Sequence, residues 1–128
     1  VSALRSLAIR ANWGPEFQCE LHCGSPVSIE DQTIANHLFR IAQEAVSNAL
    51  KHSKASRIDI TLERTIDDVV LSVADNGEGI ALDASEADGL GLLTMRYRAN
   101  AINATLSIEP QESGGTCVTC LLPLTGEE

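Results

Sequence analysis

The stretch LFRIAQEAVSNALKHS, residues Leu38–Ser53, has the apolar spacing of a long amphipathic helix. At about 100° per residue, Asn48 and Lys51 fall within about 40° of Glu44, so the three polar side chains share one narrow stripe. Carboxylate and amide oxygens suit a hard cation such as Mg²⁺, and an ammonium suits phosphate oxygens. The stripe therefore indicates a cation and phosphate site, although a solvated face of a core helix would carry the same residues.

Two glycine-bearing turns follow this helix along the chain. Asp75-Asn76-Gly77-Glu78-Gly79 ends a segment with strand-like alternation, and Gly89-Leu90-Gly91-Leu92 precedes a second helical segment. Glycines at such places let the backbone approach a ligand closely, and the free N–H groups at a helix start suit phosphate. The two turns, in this order after the helix, favour a cation and phosphate site over a solvated helix face.

Together, these three motifs resemble the N, G1 and G2 boxes of the GHKL (Bergerat) ATP-binding fold, which histidine kinases, gyrase and MutL share. The matching residues are Glu44-x3-Asn48-x2-Lys51-His52, Asp75-x-Gly77-x-Gly79 and Gly89-x-Gly91-Leu92. The local wording QEAVSNALKHSKAS, GLGLLTMRYRA and GGTCVTCLLPL is similar to that of one subfamily, the sensor kinases paired with LuxR-type response regulators. The resemblance extends over nearly the whole chain, from about Arg5 to Leu124.

The resemblance implies an α+β fold, a two-layer sandwich in which a mixed, mainly antiparallel sheet of about five strands is covered on one face by three helices. It implies one ATP-binding domain over residues 1–128, with residues 1–13 a short lead-in helix from a missing dimerisation and phosphoacceptor domain. The implied function is that of a protein histidine kinase, which binds ATP and Mg²⁺ and passes the γ-phosphate to a histidine on the separate domain, for relay to a LuxR-type response regulator. The chain alone is expected to bind nucleotide without phosphorylating itself.

The resemblance also implies roles for individual residues of the site. Asn48 is expected to hold Mg²⁺ through its amide oxygen, Glu44 to polarise the attacking histidine or a metal-bound water, and Lys51 to contact phosphate. The other residues expected around the nucleotide are His52, Asp75, Gly77, Gly79, Ile80, Gly89, Leu90, Gly91, Leu92 and Thr116.

For Asp75 the residues themselves support a role. Val69, Leu71 and Val73 form the inward set of a predicted strand, and the same alternation points Asp75 inward at the strand end. A buried carboxylate is costly unless it is hydrogen-bonded or paired. It can accept the exocyclic amine of adenine, whereas guanine presents a carbonyl there, so we expect selectivity for adenine. The alternative is a turn aspartate in an Asp-Asn-Gly hairpin.

Periodicity and breakers predict the other elements. Ser28 and Asp31 are expected to cap the long helix, which runs to about Lys51. A further helix is expected from Gly89–Gly91 to about Asn103. The remaining expected elements are a helix over Ser2–Asn12 and strands over Glu16–Cys23, Ser56–Arg64, Val69–Asp75, Thr105–Glu109 and Thr116–Leu122.

Charge and hydropathy limit the partners. With 18 acidic against 9 basic residues the formal net charge is −9, which argues against nucleic acid or an anionic membrane as a direct partner. A phosphate site must then be made locally, by backbone N–H groups, a metal and a few basic side chains. No apolar run is long enough to span a bilayer. The expected location is the cytoplasm, as a domain of a sensor that is itself free or membrane-anchored.

The four cysteines fall in predicted strands or at their ends. Cys19 and Cys23 occupy inward positions, whereas Cys117 and Cys120 are an odd step apart and point to opposite faces of one strand. This parity argues against a zinc site or a disulfide, and it predicts buried free thiols in a reducing compartment.

The sequence leaves two other functions open. A serine kinase of the anti-sigma-factor type uses the same fold without histidine-bearing helices, and a pseudokinase binds nucleotide without turnover. The local match of QEAVSNALKHSKAS and the helical lead-in favour the histidine kinase. The three filled boxes count against a pseudokinase, but they indicate binding more strongly than turnover.

Overall fold

A computed structural model describes residues 2–11, 18–23, 29, 31–52, 55–77, 91–111 and 114–124. The elements within these ranges are α1 (Ser2–Ala11), β1 (Gln18–His22), α2 (Gln32–His52), β2 (Arg57–Arg64), β3 (Asp68–Asp75), α3 (Leu92–Ala101), β4 (Thr105–Pro110) and β5 (Thr116–Pro123). The five strands form one sheet in the order β1-β2-β3-β5-β4. β1 pairs with β2 in parallel and the other three pairs are antiparallel, so the predicted mixed, mainly antiparallel sheet is confirmed.

Alternation along the central strands decides which side of the sheet faces the core. The predicted inward sets are confirmed as buried; they are Ile58, Ile60 and Leu62 in β2 and Val69, Leu71 and Val73 in β3. α2 packs against β2, β3 and β5, while α1 contacts β1 and α3 contacts β4. The buried residues of all three helices join one cluster with these strands, so the helices cover one face of the sheet.

The start of α2 differs from the prediction. The Asp31 carboxylate accepts the backbone N–H groups of Thr33 at 2.9 Å and Ile34 at 3.2 Å. Asp31 is therefore the capping residue, and the helix begins directly after it at Gln32. Ser28, the other residue of the predicted cap, lies outside the described residues.

The end of α3 also comes earlier than predicted. Asn103 adopts a left-handed conformation with φ 60°, and the backbone N–H of Ala104 donates to the carbonyl of Ala99 at 2.8 Å. This pattern closes a helix at its carboxyl end, with asparagine in the position that glycine usually takes. The helix therefore stops at Ala101.

None of the four cysteines forms a disulfide, and the predicted burial holds only for Cys19 and Cys120. Burial raises the pKa of the Cys120 thiol to about 11; burial and, less strongly, nearby carboxylates raise that of Cys19 to about 11. Both thiols are therefore protonated at neutral pH. Cys23 and Cys117 are only half-buried, because Cys23 follows the end of β1 and Cys117 points to the outer face of β5.

Candidate functional site

Asp75 lies at the end of β3 on the inner face of the sheet. Its side chain is 6% exposed, which confirms the inward placement predicted from strand alternation. Its Oδ1 accepts the backbone N–H of Gly77 at 2.8 Å. Thr116, at the start of the neighbouring strand β5, is 3% exposed and comes one residue beyond the last registered pair of the two strands, Ala74 and Cys117. A carboxylate, a hydroxyl and a glycine turn therefore meet at one end of the sheet.

Gly115 packs directly against this carboxylate. A Cβ on Gly115 would overlap the carbonyl oxygen of Asp75 and would lie 2.8 Å from its Oδ1. Gly115 also has φ 92°, a conformation that favours glycine. No local signal in the sequence indicates this contact, because it depends on how β3 and β5 pair.

Two polar residues outside the expected site set fix the backbone of this region. The Asn76 Oδ1 accepts the backbone N–H groups of Ser56 at 3.0 Å and Arg57 at 2.9 Å, which attaches the end of β3 to the start of β2. The Gln111 Nε2 donates to the carbonyl oxygen of Asp75 at 2.8 Å. The position of Asn76, directly after an inward Asp, is a local signal in the sequence. No local signal near Gln111 indicates its contact with Asp75.

Glu44 and Asn48 form the helical side of the site on α2. Asn48 is 3% exposed and Glu44 is half-buried, so these two members of the stripe are not a freely solvated helix face. Gly91 lies against Glu44, since a Cβ there would be 2.6 Å from the Glu44 Cδ, and it has φ 68°. Oxygen donors of this kind, a carboxylate and an amide one turn apart on one helix, fit the ligand preference of Mg²⁺.

Gly91 is also the N-cap of α3. No side-chain capping hydrogen bond is made there, and the backbone N–H of Met95 donates to the Gly91 carbonyl at 3.0 Å. The helix therefore begins at Leu92, directly after the glycines at which its start was predicted. The Leu92 side chain is buried in the core. The first-turn N–H groups of α3 begin beside Glu44.

The other predicted site residues divide into two groups. Lys51 is exposed near the end of α2, and His52 is the last residue of that helix. Gly79, Ile80, Gly89 and Leu90 lie outside the described residues.

α3 continues away from the site, antiparallel to α2. Gly91 lies beside Glu44, and about two turns further on the Arg98 Nη1 lies 3.4 Å from the His37 Nδ1, about two turns before Glu44. The outer side of α3 presents two large apolar side chains to solvent, Leu93 at 66% and Tyr97 at 69% exposure.

A second charged cluster lies on the opposite, outer face of the sheet. Glu20, His22 and Asp59 hold carboxylate and imidazole atoms close enough to bind a metal. Arg57, however, donates to Glu20 at 2.8 Å and to the two Asp59 oxygens at 2.9 and 3.1 Å. His22 lies 2.7 Å from Asp59. The guanidinium already pairs with both carboxylates, so this cluster is an ion-pair network that joins β1 to β2.

Partial burial by itself raises the pKa of Asp59, but the hydrogen bonds from His22 and Arg57 outweigh it, so that pKa lies below the ordinary value of 3.8. The carboxylate is therefore ionised at neutral pH and keeps the network charged.

Among the described helices, none combines the length and hydropathy needed to cross a bilayer.

Comparison with known protein families gives a match over most of the chain. Residues 33–126 match the model described as histidine kinase-, DNA gyrase B- and HSP90-like ATPase. The chain is 40% identical over 103 residues to sensor protein VraS of Staphylococcus epidermidis, a match that covers 80% of this chain and 28% of VraS. It is 43% identical over 100 residues to the nitrate/nitrite sensor protein NarX of Escherichia coli, covering 78% of this chain and 17% of NarX. The chain thus spans less than a third of the length of these curated relatives.

Solved structures show the same fold. The ATP-binding domain of PrrB from Mycobacterium tuberculosis superposes with a TM-score of 0.72 at 24% identity, covering 95% of this chain and 91% of that domain. A blue-light activated histidine kinase of Erythrobacter litoralis gives a TM-score of 0.73 at 20% identity, covering 97% of this chain and 40% of that protein.

Proposed function

The chain belongs to the histidine kinase-, DNA gyrase B- and HSP90-like ATPase family, and from that premise we propose that it is the ATP-binding catalytic domain of a sensor histidine kinase. It binds ATP with Mg²⁺ and presents the γ-phosphate to a histidine on a separate domain, from which the phosphate passes to a response regulator. VraS and NarX, which are named as sensor proteins, and LiaS of Bacillus subtilis, which is named as a sensor histidine kinase and is 38% identical over 95 residues, support this choice within the family.

The observation that carries the proposal is the setting of Asp75. Its carboxylate is buried at the end of β3, accepts the Gly77 N–H, and has Gly115 packed against it without any side chain between them. A buried acceptor held in one place selects ligands that donate there. The exocyclic amine of adenine donates, whereas guanine places a carbonyl at the same position.

The helical side of the site handles the phosphates. Phosphoryl transfer depends mainly on positioning and on neutralising charge. Asn48 would hold the metal through its amide oxygen, Glu44 would orient the attacking imidazole or a water molecule beside it, and Lys51 would reach the phosphates. Bound Mg²⁺ supplies the charge neutralisation that an acidic chain lacks; the first-turn N–H groups of α3 add to it.

The remaining predicted residues complete the proposed pocket. Gly77 and Gly79 allow close approach of the base and sugar, Ile80 and Thr116 line the adenine end, and His52, Gly89, Leu90 and Leu92 support the phosphate end. These assignments follow the family motifs, and Leu92 acts from within the core by anchoring the start of α3.

The phosphoacceptor domain docks beside the phosphate end of the site. Leu93 and Tyr97 support this placement, because they expose two large apolar side chains on the helix whose N-cap touches Glu44. Residues 1–128 form a single domain, and residues 1–13 lead in from the dimerisation and phosphoacceptor helices. The protein acts in the cytoplasm on a LuxR-type response regulator.

Calorimetric titration of the chain with ATP and GTP, each with and without Mg²⁺, tests the proposal. We expect binding that favours ATP and strengthens with Mg²⁺. Equal binding of both nucleotides would refute the role of Asp75, and no binding of either would refute an ATP-binding domain.

A second experiment incubates the full-length protein with ATP and tests the phosphate that becomes attached to the protein. We expect this phosphate to be acid-labile, as phosphohistidine is; acid-stable phosphate would instead indicate a serine kinase.

A further inference from the structure

We propose that Gln111 is a positioning residue for adenine selection, which acts by holding Asp75 rather than by touching the nucleotide. The inference rests on the proposed function, since it concerns how that site distinguishes its base. Gln111 belongs to none of the three motifs, and it lies directly after β4, a strand that does not pair with β3.

The first support is where the hydrogen bond from Gln111 lies. The registered pairs between β3 and β5 end at Ala74 and Cys117, so Asp75 is the first residue beyond the ladder. Its carbonyl oxygen accepts the Gln111 side-chain amide at 2.8 Å. The Gln111 side chain thus gives the Asp75 carbonyl a hydrogen bond on the β5 side, in place of the backbone bond that the paired strands make up to Ala74.

The second support is that the Gln111 backbone holds the turn which contacts the Asp75 carboxylate. The Gln111 N–H donates to the carbonyl of Gly115 at 3.0 Å, and the Gly114 N–H donates to the carbonyl of Gln111 at 3.0 Å. Gly115 is the residue packed against Asp75 Oδ1. One residue therefore fixes both the main chain of Asp75 and the surface on which its carboxylate lies.

Asp75 is fixed on its other side by β2. The Asn76 N–H donates to the Arg57 carbonyl at 3.2 Å, and the Asn76 side chain accepts from the same strand. Without the Gln111 side chain, the hydrogen bonds described for the main chain beyond Ala74 come from the β2 side, so the end of β3 can tilt away from β5. Since an N–H···O bond weakens once its length leaves about 2.7–3.2 Å, a small tilt is enough to lose a contact with a base amine.

This geometry separates a positioning role from a general structural role. Loss of the Gln111 amide should weaken the contact with the adenine amine and leave contacts with sugar and phosphates unchanged. The probe is a pair of nucleotides, ATP and the 5′-triphosphate of purine riboside, which has hydrogen in place of the amine. A structural defect would weaken both ligands equally.

The experiment compares the wild-type chain with Gln111→Met, which keeps the length of the side chain but has no hydrogen-bond donor. The control variant is Gln18→Met, on β1 at the opposite edge of the sheet. Dissociation constants for both nucleotides are measured by calorimetry, with thermal unfolding as the check on folding. We expect Gln111→Met to bind ATP about tenfold more weakly, with little change for purine riboside triphosphate. Gln18→Met should leave both constants unchanged.

A second variant, Gln111→Lys, restores a long donor and should recover much of the preference for ATP. Unchanged ATP affinity in Gln111→Met, an equal loss for both nucleotides, or a Lys variant that behaves like the Met variant would each overturn the inference. A wild-type chain that binds both nucleotides equally would overturn the adenine role of Asp75 as well, and that result is separate because it needs no variant.

Discussion

The two faces of the sheet hold aspartates in opposite settings. Asp75, on the inner face, is buried and accepts a backbone N–H from Gly77. Asp59, on the outer face, is partly exposed, and its described partners are the side chains of His22 and Arg57. The Asp75 carboxylate is held by a backbone group, whereas the Asp59 carboxylate is held by partly exposed side chains, which can change rotamer.

The comparison shows what each kind of setting can do. Backbone donors cannot rotate away, so the position of Asp75 is as well defined as the end of its strand, which suits the selection of a ligand. Exposed ion pairs typically contribute between 0 and about 1 kcal/mol, because water and salt compete with them. The outer network therefore stabilises the attachment of β1 to a small degree and should not affect nucleotide binding.

The largest expected effect comes from closing the space beside Asp75. Gly115→Ala places a Cβ on the Asp75 carbonyl and carboxylate at positive φ, and we expect it to lower the free energy of unfolding by about 3 kcal/mol and to abolish measurable ATP binding. Gly114→Ala is the matched control, since its φ is also positive, at 103°, but within the described ranges its Cβ would meet no atom nearer than the Gly77 carbonyl at 3.5 Å. Chemical denaturation and calorimetry compare the two; equal losses would mean that the contact with Asp75 is relieved elsewhere.

Asp75→Asn removes the charge and keeps an oxygen for the Gly77 N–H. We expect ATP binding to weaken by about 1–3 kcal/mol, because the adenine amine loses its charged acceptor. Asp68→Asn, at the other end of the same strand, is the control and should bind ATP like the wild type. Unchanged ATP affinity in Asp75→Asn would refute the adenine assignment.

Asn48→Ala tests the helical side of the inner face. We expect about tenfold weaker binding of ATP with Mg²⁺ and unchanged binding of adenosine, because the amide oxygen serves the metal and not the base. Ser47→Ala, the neighbouring position on α2, controls for the loss of a polar side chain from the helix. If adenosine and ATP lost affinity equally, Asn48 would have a structural role instead.

The smallest effect is expected on the outer face. Asp59→Asn should reduce the free energy of unfolding at pH 7 by less than about 1 kcal/mol and leave ATP affinity unchanged. Because the folded pKa lies below 3.8, the contribution of the carboxylate is present above that value and disappears as the pH falls through the folded pKa.

Denaturation of wild type and Asp59→Asn at pH 7 and below pH 3.8 should therefore show a difference that shrinks in acid. Glu63→Gln, an exposed position on the same strand, is the control. A difference that grew in acid, or a loss of ATP binding in Asp59→Asn, would contradict the separation of the two faces.

The local elements could be predicted from the sequence because their signals lie within a few residues. The alternation of Ile58, Ile60 and Leu62 specifies the inner side of β2, and the same parity carries through β3 to Asp75. The spacing of Glu44 and Asn48 places both on one stripe of α2. The cap of α2 is also local, because Asp31 accepts N–H groups only two and three residues further along the chain.

The contacts that assemble the candidate site have no such signal. Gln111 reaches Asp75 across 36 positions of sequence, Gly91 meets Glu44 from a different helix, and Gly115 lies against Asp75 through strand pairing. Periodicity tells which side of an element is buried, and it does not tell which elements become neighbours. That depends on the sheet order β1-β2-β3-β5-β4, which arises from packing all elements around one core. The motifs in the sequence therefore indicate the chemistry of the site, whereas the residues that hold Asp75 in place can be identified only once the pairing of the strands is known.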